Sequence, residues 1–226
     1  MVEFSNADWQ AIWLTFKLAA AVTFILLIIC TPLAYWLNKT KSIFKGPLIA
    51  LFALPLVLPP SVLGFYFLLA FAPNTWFSQA ALALGFGQLA FSFTGLLIAS
   101  LIYSLPFVLQ PIYNAMQSLH TGSLDAAATL GAGPLDRFFT LVIPMIKPGL
   151  FTGAVLGFAH TLGEFGVVLM IGGNIPGETQ LISVQIYEYV ESLEYGKAHF
   201  LSGFMLIVSF IILWLVYKLQ PSRVHE

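Results

Sequence analysis

Between Lys45 and Asp125 the chain carries no Asp, Glu, Lys or Arg, and this gap constrains the fold more than any other feature. A water-soluble domain surrounds its core with charge, so a stretch this long without it needs another solvent. Lipid is that solvent. An apolar run of about 20 residues suffices for one helical crossing, and no ordinary core helix or strand needs so long an uncharged segment. Over the 226 residues 59% are apolar and 8% charged, against roughly 45–50% and 25% in an average soluble domain.

Five segments have the length of a crossing: residues 18–37, 48–71, 89–113, 148–171 and 201–219. An odd number places the two ends of the chain on opposite sides. Lys39, Lys41, Lys45, Arg137, Lys147, Lys218 and Arg223 fall on one side of this arrangement, and Glu3, Asp8, Glu178, Glu188, Glu191 and Glu194 on the other, with Lys17 and Lys197. Basic residues collect on the cytoplasmic side, so the N-terminus is expected outside and the C-terminus in the cytoplasm. Glu3 and Asp8 precede the first apolar segment in place of the basic stretch of a cleaved signal peptide, and that segment is expected to be retained. Cys30 is the single cysteine, so no disulfide forms within the chain. A net charge of −1 without a lysine or arginine cluster offers no nucleic-acid surface.

Within the second segment, Pro55, Pro59 and Pro60 each remove a backbone donor. They indicate either a kinked packing helix or a broken one lining a pathway, because a break in lipid needs protein or water beside it. Gly64 permits close backbone approach in both cases. Residues 72–88, with Pro73, Asn74, Gly85 and Gly87, are expected to form a loop. Glu164 falls inside the fourth segment, where an ionisable residue is costly and marks function by default. His160, four residues earlier, would share its helix face. The two form a self-satisfying pair, or Glu164 serves as a gate; a metal site would be short of ligands. Gly163 and Gly166 flank Glu164 and are expected to bring backbones together. Lys17 either snorkels at the mouth of the first segment or steers an anion. Pro176-Gly177 suits a type II turn, as a plain turn or as part of a partner-facing surface.

The segment 123–148 is unusually ordered for a loop. Ser123 is a candidate N-cap, Asp125 puts negative charge in the first turn, and Ala126, Ala127 and Ala128 favour helix. Gly131 supplies a left-handed stop, and Pro134 suits the first position of a second helix, with Asp136 after it. A helix whose exposed face is alanine can sit deep in a groove of another protein.

Asp125-Ala126-Ala127, three residues, Gly131, nine residues and Leu141-Val142-Ile143-Pro144 together resemble the coupling-loop motif of ABC-importer permeases. The family pattern is Glu-Ala-Ala, three residues, Gly, nine residues, Ile, any residue, Leu-Pro; the departures are conservative and both gaps are intact. The resemblance runs from about Trp9 to the last apolar segment. Leu54-Pro55-Leu56-Val57-Leu58-Pro59-Pro60 with Gly64, Ala128 to Gly133, Leu162-Gly163-Glu164-Phe165-Gly166 and Asn174 to Thr179 are similar to the molybdate permeases of the molybdate, tungstate and sulfate importer group. The short chain and the Leu-Pro-Pro run favour molybdate over sulfate.

The resemblance implies an all-α membrane protein: a single permease domain over 9–220, with about five transmembrane helices and the cytoplasmic coupling loop at 123–148. It implies a homodimer in the inner membrane of a bacterial or archaeal cell, two cytoplasmic ATPase subunits and an external oxyanion-binding protein. Asp125, Ala126, Ala127, Gly131 and Pro144 would couple to the ATPase. Pro59, Pro60, Gly64, Gly163, Glu164, Phe165 and Gly166 would line or gate the path. An ionised Glu164 repels an anion, so gating or packing suits it better than binding substrate. The sequence lacks the nucleotide-binding and hydrolase motifs, so no cofactor is expected in this chain; ATP and Mg belong to the partner. A secondary transporter would show inverted repeats, and an intramembrane enzyme would need a nucleophile beside His160 and Glu164.

Overall fold

The computed structural model describes residues 4–119 and 121–219; Glu3, Arg223 and the last residue of the 9–220 domain lie outside them. The described elements are helical. The first, α1 (Asn6–Lys39), opens on a capping box: Ser5 Oγ accepts from the Asp8 amide at 3.2 Å, and the Asp8 carboxylate accepts from the Ser5 amide at 2.8 Å. Its buried stripe, Leu18, Val22, Leu26, Cys30, Ala34 and Leu37, recurs every three or four residues.

The second apolar segment is not one straight helix. It divides into α2 (Lys45–Ala53), a 3-10 turn at Leu54–Leu56 and α3 (Pro60–Ala70), bent by 105°. Pro60 forces Pro59 into an extended conformation, φ −55° and ψ 138°, and can begin α3 because a first helical position needs no donor. The sequence left a kink or a break open here, and the bend is a break. Residues 72–88, expected as a loop, contain a helix, α4 (Trp76–Ala83), started by Thr75 Oγ1 accepting from the Ser78 amide at 3.2 Å.

The next long helix, α5 (Phe93–Gln117), is followed by α6 (Thr121–Thr129). That helix begins two residues before Ser123, so Ser123 is not the N-cap; Gly122 and Ser123 fit the first turn, whose amides need no intrahelical acceptor. Then come α7 (Pro134–Arg137), a π turn at Phe138–Val142, α8 (Ile143–Met145) and α9 (Lys147–Leu162), the last at 68° to the segment before it. The fourth apolar segment, expected to continue to 171, stops at Leu162 and resumes as α10 (Gly166–Gly172). An amphipathic helix, α11 (Ile182–Glu191), and the lipid-compatible α12 (Tyr195–Leu219) complete the order. Three of these helices are long and apolar enough to cross a membrane, or five units if each bent pair is one span.

The core is the trio α1, α5 and α9. Gly149, Gly153 and Gly157 present one face of α9 to α5; a Cβ at Gly153 would sit 3.0 Å from the Val108 carbonyl, and one at Gly149 or Gly157 would collide with Ala115 or Val108. Small residues at four-residue spacing let the two backbones approach, as in membrane packing generally.

The long helix α1 spans about 50 Å, and its ends meet different parts of the chain. At its start the Tyr189 hydroxyl donates to Asp8 at 2.8 Å and the Ile182 amide donates to Thr15 Oγ1 at 2.9 Å, seating α11. Near its end Asn38 donates to the Met116 carbonyl at 3.1 Å, and Tyr35 packs on Phe138 with ring centroids 5.0 Å apart. The segment 121–146 and α11 therefore lie at opposite ends of the bundle.

Candidate gate and docking site

The two broken helices meet. A Cβ at Gly166 would lie 2.8 Å from Pro60 Cβ, and one at Gly64 would lie 3.0 Å from the Cβ and Sδ of Met170. Pro60 and Gly166 each open a new helix, so the restart of α3 packs against the restart of α10. Four residues further on, Gly64 receives Met170. Pro60, Gly64, Gly166 and Met170 thus belong to one contact, a pairing of the two breaks that the sequence reading did not specify. Gly163 does not join it: a Cβ there would meet only the carbonyls of Ala159 and His160, at 3.7 and 3.9 Å, within its own helix.

Glu164 is 3% exposed. Its Oε2 accepts from Ser100 Oγ at 2.8 Å, and its carbonyl accepts from Ser183 Oγ at 2.7 Å. Its Oε1 is buried without a hydrogen-bond partner among the described residues. The expected pairing with His160 is absent because α9 ends at Leu162, and i, i+4 neighbours share a face only while the helix continues. His160 instead shares a hydrogen bond with Ser104 through Nδ1 at 2.9 Å and stacks on Phe107 with centroids 3.8 Å apart. Ser104 is also 2.9 Å from Thr161 Oγ1, which donates to the Gly157 carbonyl at 2.9 Å.

Ser100 and Ser104 are fully buried and one turn apart on α5; they hold Glu164 and His160 separately. The sequence reading passed over both serines. The available signal was two small polar residues at four-residue spacing inside an apolar helix, a pattern used to bond helices across a bilayer. Phe165 turns toward α11, with its ring 5.2 Å from that of Tyr187. Lys17 is exposed with Nζ 4.4 Å from the Phe93 ring centroid, a cation over an aromatic face. Among the described residues no group of three His, Cys, Asp or Glu is placed to hold a metal.

At the other end, Gly131 has φ +87°, the left-handed stop its position required. The Ala132 amide donates to the Ala127 carbonyl at 3.0 Å, closing α6. Asp125, Ala126, Ala128 and Pro144 are exposed, Ala127 partly so. Leu130 and Leu135 stand on either side of the turn, 88% and 73% exposed. Arg137 steadies the turn by donating to the Leu124 carbonyl at 3.4 Å.

Residues 29–225 match the family described as binding-protein-dependent transport system inner membrane component. The chain belongs to this family. A relative in it, the molybdenum transport system permease protein ModB of Azotobacter vinelandii, is 52% identical over 214 residues, covering 95% of both chains. The corresponding Escherichia coli K12 protein is 35% identical, covering 83% of this chain and 82% of its own. A probable sulfate transport system permease protein, cysT of Marchantia polymorpha, is 34% identical over 91% of this chain and 71% of that one. The fold matches that of a bacterial ABC transporter that imports alginate, with a TM-score of 0.79 at 17% identity, covering 98% of this chain and 82% of that one. It also matches the MetNI methionine ABC transporter, with a TM-score of 0.69 at 15% identity over 95% of this chain and 97% of that one. The binding-protein-dependent permease fold is thus reached here with the break at Glu164 and the turn at Gly131 at opposite ends of one bundle.

Proposed function

We propose that the chain is the inner-membrane permease of an ATP-driven molybdate importer. The observation that carries this reading is 52% identity over 95% of both chains to the Azotobacter molybdenum permease. A sulfate permease is the second reading, supported by relatives at 34% identity that extend well beyond this chain. Two copies of the chain enclose the path, two cytoplasmic ATPase subunits supply energy at Asp125, Ala126, Ala127, Gly131 and Pro144, and an external oxyanion-binding protein delivers the anion. ATP and Mg are held by the ATPase. The N-terminus faces outside, which puts Lys39, Arg137 and Lys147 in the cytoplasm.

The contact of Pro60 and Gly64 on one broken helix with Gly166 and Met170 on the other, together with Pro59, Glu164 and Phe165 at the two breaks, forms the gate. Glu164 holds the break rather than binding the anion, because a carboxylate in the path would repel it. Importing a divalent anion against about 100 mV costs about 4.6 kcal/mol before any concentration term, and nothing in a passive pore supplies that. Uptake by proteoliposomes containing this chain, its ATPase and its binding protein tests the reading: ATP-dependent accumulation of molybdate in preference to sulfate is expected. Preference for sulfate, or accumulation driven by an ion gradient without ATP, overturns it.

A further inference from the structure

Between the second half of α1 and the π turn at Phe138–Val142 lies an open apolar groove of about 470 Å³, with Phe24, Ile28 and Thr31 on one wall and Phe138, Phe139 and Ile143 on the other. That volume falls within the roughly 300–1,000 Å³ of sites that enclose small ligands. The one hydroxyl on its walls, Thr31 Oγ1, already donates to the Leu27 carbonyl at 2.6 Å, and no wall residue is charged. An occupant therefore needs no hydrogen-bonding groups there. Phe24, Ile28 and Phe139 are 66%, 57% and 65% exposed, so the groove opens outward from the core of the bundle.

One end of the groove is tied to a cation. Phe138 packs on Tyr35 with ring centroids 5.0 Å apart, and Lys39 Nζ lies 4.3 Å from the Tyr35 ring centroid. Lys39 and Lys41 are exposed, and the ion pair among the described residues is elsewhere, between Lys197 and Glu194. Trp36, half exposed beside them, is of the type that settles at the headgroup level of a bilayer. From Phe24 to Lys39 α1 rises about 22 Å, and one leaflet with its headgroups is about 20–22 Å deep. The groove and its lysines thus match one lipid in length, with apolar walls at the depth of the chains and positive charge at the depth of the phosphates.

We propose that this groove holds one chain of an anionic phospholipid of the cytoplasmic leaflet, with its phosphate at Lys39 and Lys41. Basic residues beside a cleft between membrane helices suit such a headgroup. A helix of a second copy, about 10–12 Å across with its side chains, would occupy roughly twice the volume of the groove over the same length, whereas a single acyl chain is narrower. The assignment to the cytoplasmic leaflet rests on the topology proposed above; the match of chain to groove and of phosphate to lysines does not. The wall formed by Phe138, Phe139 and Ile143 belongs to the segment that carries the turn at Gly131. The lipid therefore fills the space between that segment and α1, and the docking surface is seated on lipid as well as on protein.

The test uses the purified complex of the full chain with its ATPase, washed free of lipid in detergent and offered phosphatidylglycerol and phosphatidylcholine in equal amounts, with retained lipids counted by native mass spectrometry. The parent is expected to retain phosphatidylglycerol in preference. Lys39→Gln combined with Lys41→Gln is expected to cut that preference about tenfold. Ile28→Trp, at an exposed position that accommodates the larger ring, fills the groove and is expected to lower the count by one lipid per chain. Equal retention of the two lipids by the parent, an undiminished preference in the lysine variant, or an unchanged count in Ile28→Trp overturns the proposal. So does rapid disulfide formation between two copies carrying Phe139→Cys with Cys30 replaced, because protein would then cover the groove. Retention in detergent does not depend on which face is cytoplasmic, so thiol access to a cysteine replacing Lys41 tests the topology separately.

Discussion

The break at 163–165 and the turn at 130–134 lie toward opposite ends of the bundle and treat their polar and apolar groups in opposite ways. At the break the chain answers most of its own groups: Ser100 and Ser183 serve Glu164, whose Oε1 alone stays without a partner among the described residues of the break, Ser104 serves His160, and Gly166 packs on Pro60. At the turn Leu130 and Leu135 stand in solvent beside exposed Ala126 and Ala128. A region whose contacts are internal changes only by exchanging one internal arrangement for another, as a gate must. An apolar surface beside small side chains gains by being covered, as a docking site must.

The strongest way to break this comparison is Gly131→Val. Nothing lies within 4 Å of a Cβ at Gly131, but its φ of +87° is one a β-branched residue adopts only with strain. The cost of roughly 1–3 kcal/mol falls on the turn and not on the membrane helices. Membrane accumulation at the parent level is expected, with ATPase association and uptake reduced about tenfold, the ratio that 1.4 kcal/mol produces. Unimpaired association measured by co-purification would mean that the turn does not dock.

Gly166→Leu probes the other end. Its Cβ would lie 2.8 Å from Pro60, and overpacking of this kind costs about 1–3 kcal/mol. A lower Tm in detergent and slower uptake are expected, with ATPase association unchanged; an unaltered Tm would mean that the two broken helices are not pressed together. Glu164→Gln is milder. The amide oxygen still accepts from Ser100, so insertion, dimerisation and Tm are expected to match the parent, while uptake per ATP hydrolysed changes because the buried group at the break can no longer ionise. Normal coupling in that variant would remove the gate role from Glu164.

Single cysteines at exposed Asn6 and Lys41, in a chain with Cys30 replaced, are expected to react with an impermeant thiol reagent from opposite faces, Asn6 from outside. Access from one face would reverse or discard the proposed topology. The smallest effect is expected for Tyr187→Phe. The Tyr187 hydroxyl donates to Glu191 at 2.5 Å, and that bond raises its pKa above the ordinary tyrosine value. A raised pKa keeps the phenol protonated through neutral pH, so whatever the bond contributes is present there and is lost only as pH rises through the folded value. Uptake between about pH 6 and 8 is therefore expected to be the same in Tyr187→Phe as in the parent, far below the ordinary tyrosine range. A pH-dependent difference there would mean that the hydroxyl, and not the ring on Phe165, matters.

The membrane class, the turn at Gly131 and an interruption at Pro59-Pro60, though not whether it kinks or breaks the helix, were legible in the sequence because each rests on local chemistry. An uncharged run cannot tolerate water as its solvent, a glycine after an alanine-rich helix takes the left-handed stop, and consecutive prolines cannot continue a helix. Ser123 as N-cap and the loop at 72–88 failed at the same local level, where helix ends shift by a residue or two and short capped helices resemble loops.

Tertiary structure alone decided what the polar residues buried between the helices touch. Ser100 and Glu164 are 64 positions apart, Ser104 and His160 56, and no periodicity within either helix names the other. Helices already in lipid have little hydrophobic reason to choose one neighbour over another. Close fit and interhelical hydrogen bonds decide, and these exist only once α5 and α9 have met along Gly149, Gly153 and Gly157. The end of α9 at Leu162 separated His160 from Glu164, turning an expected pair into two bonds to one helix.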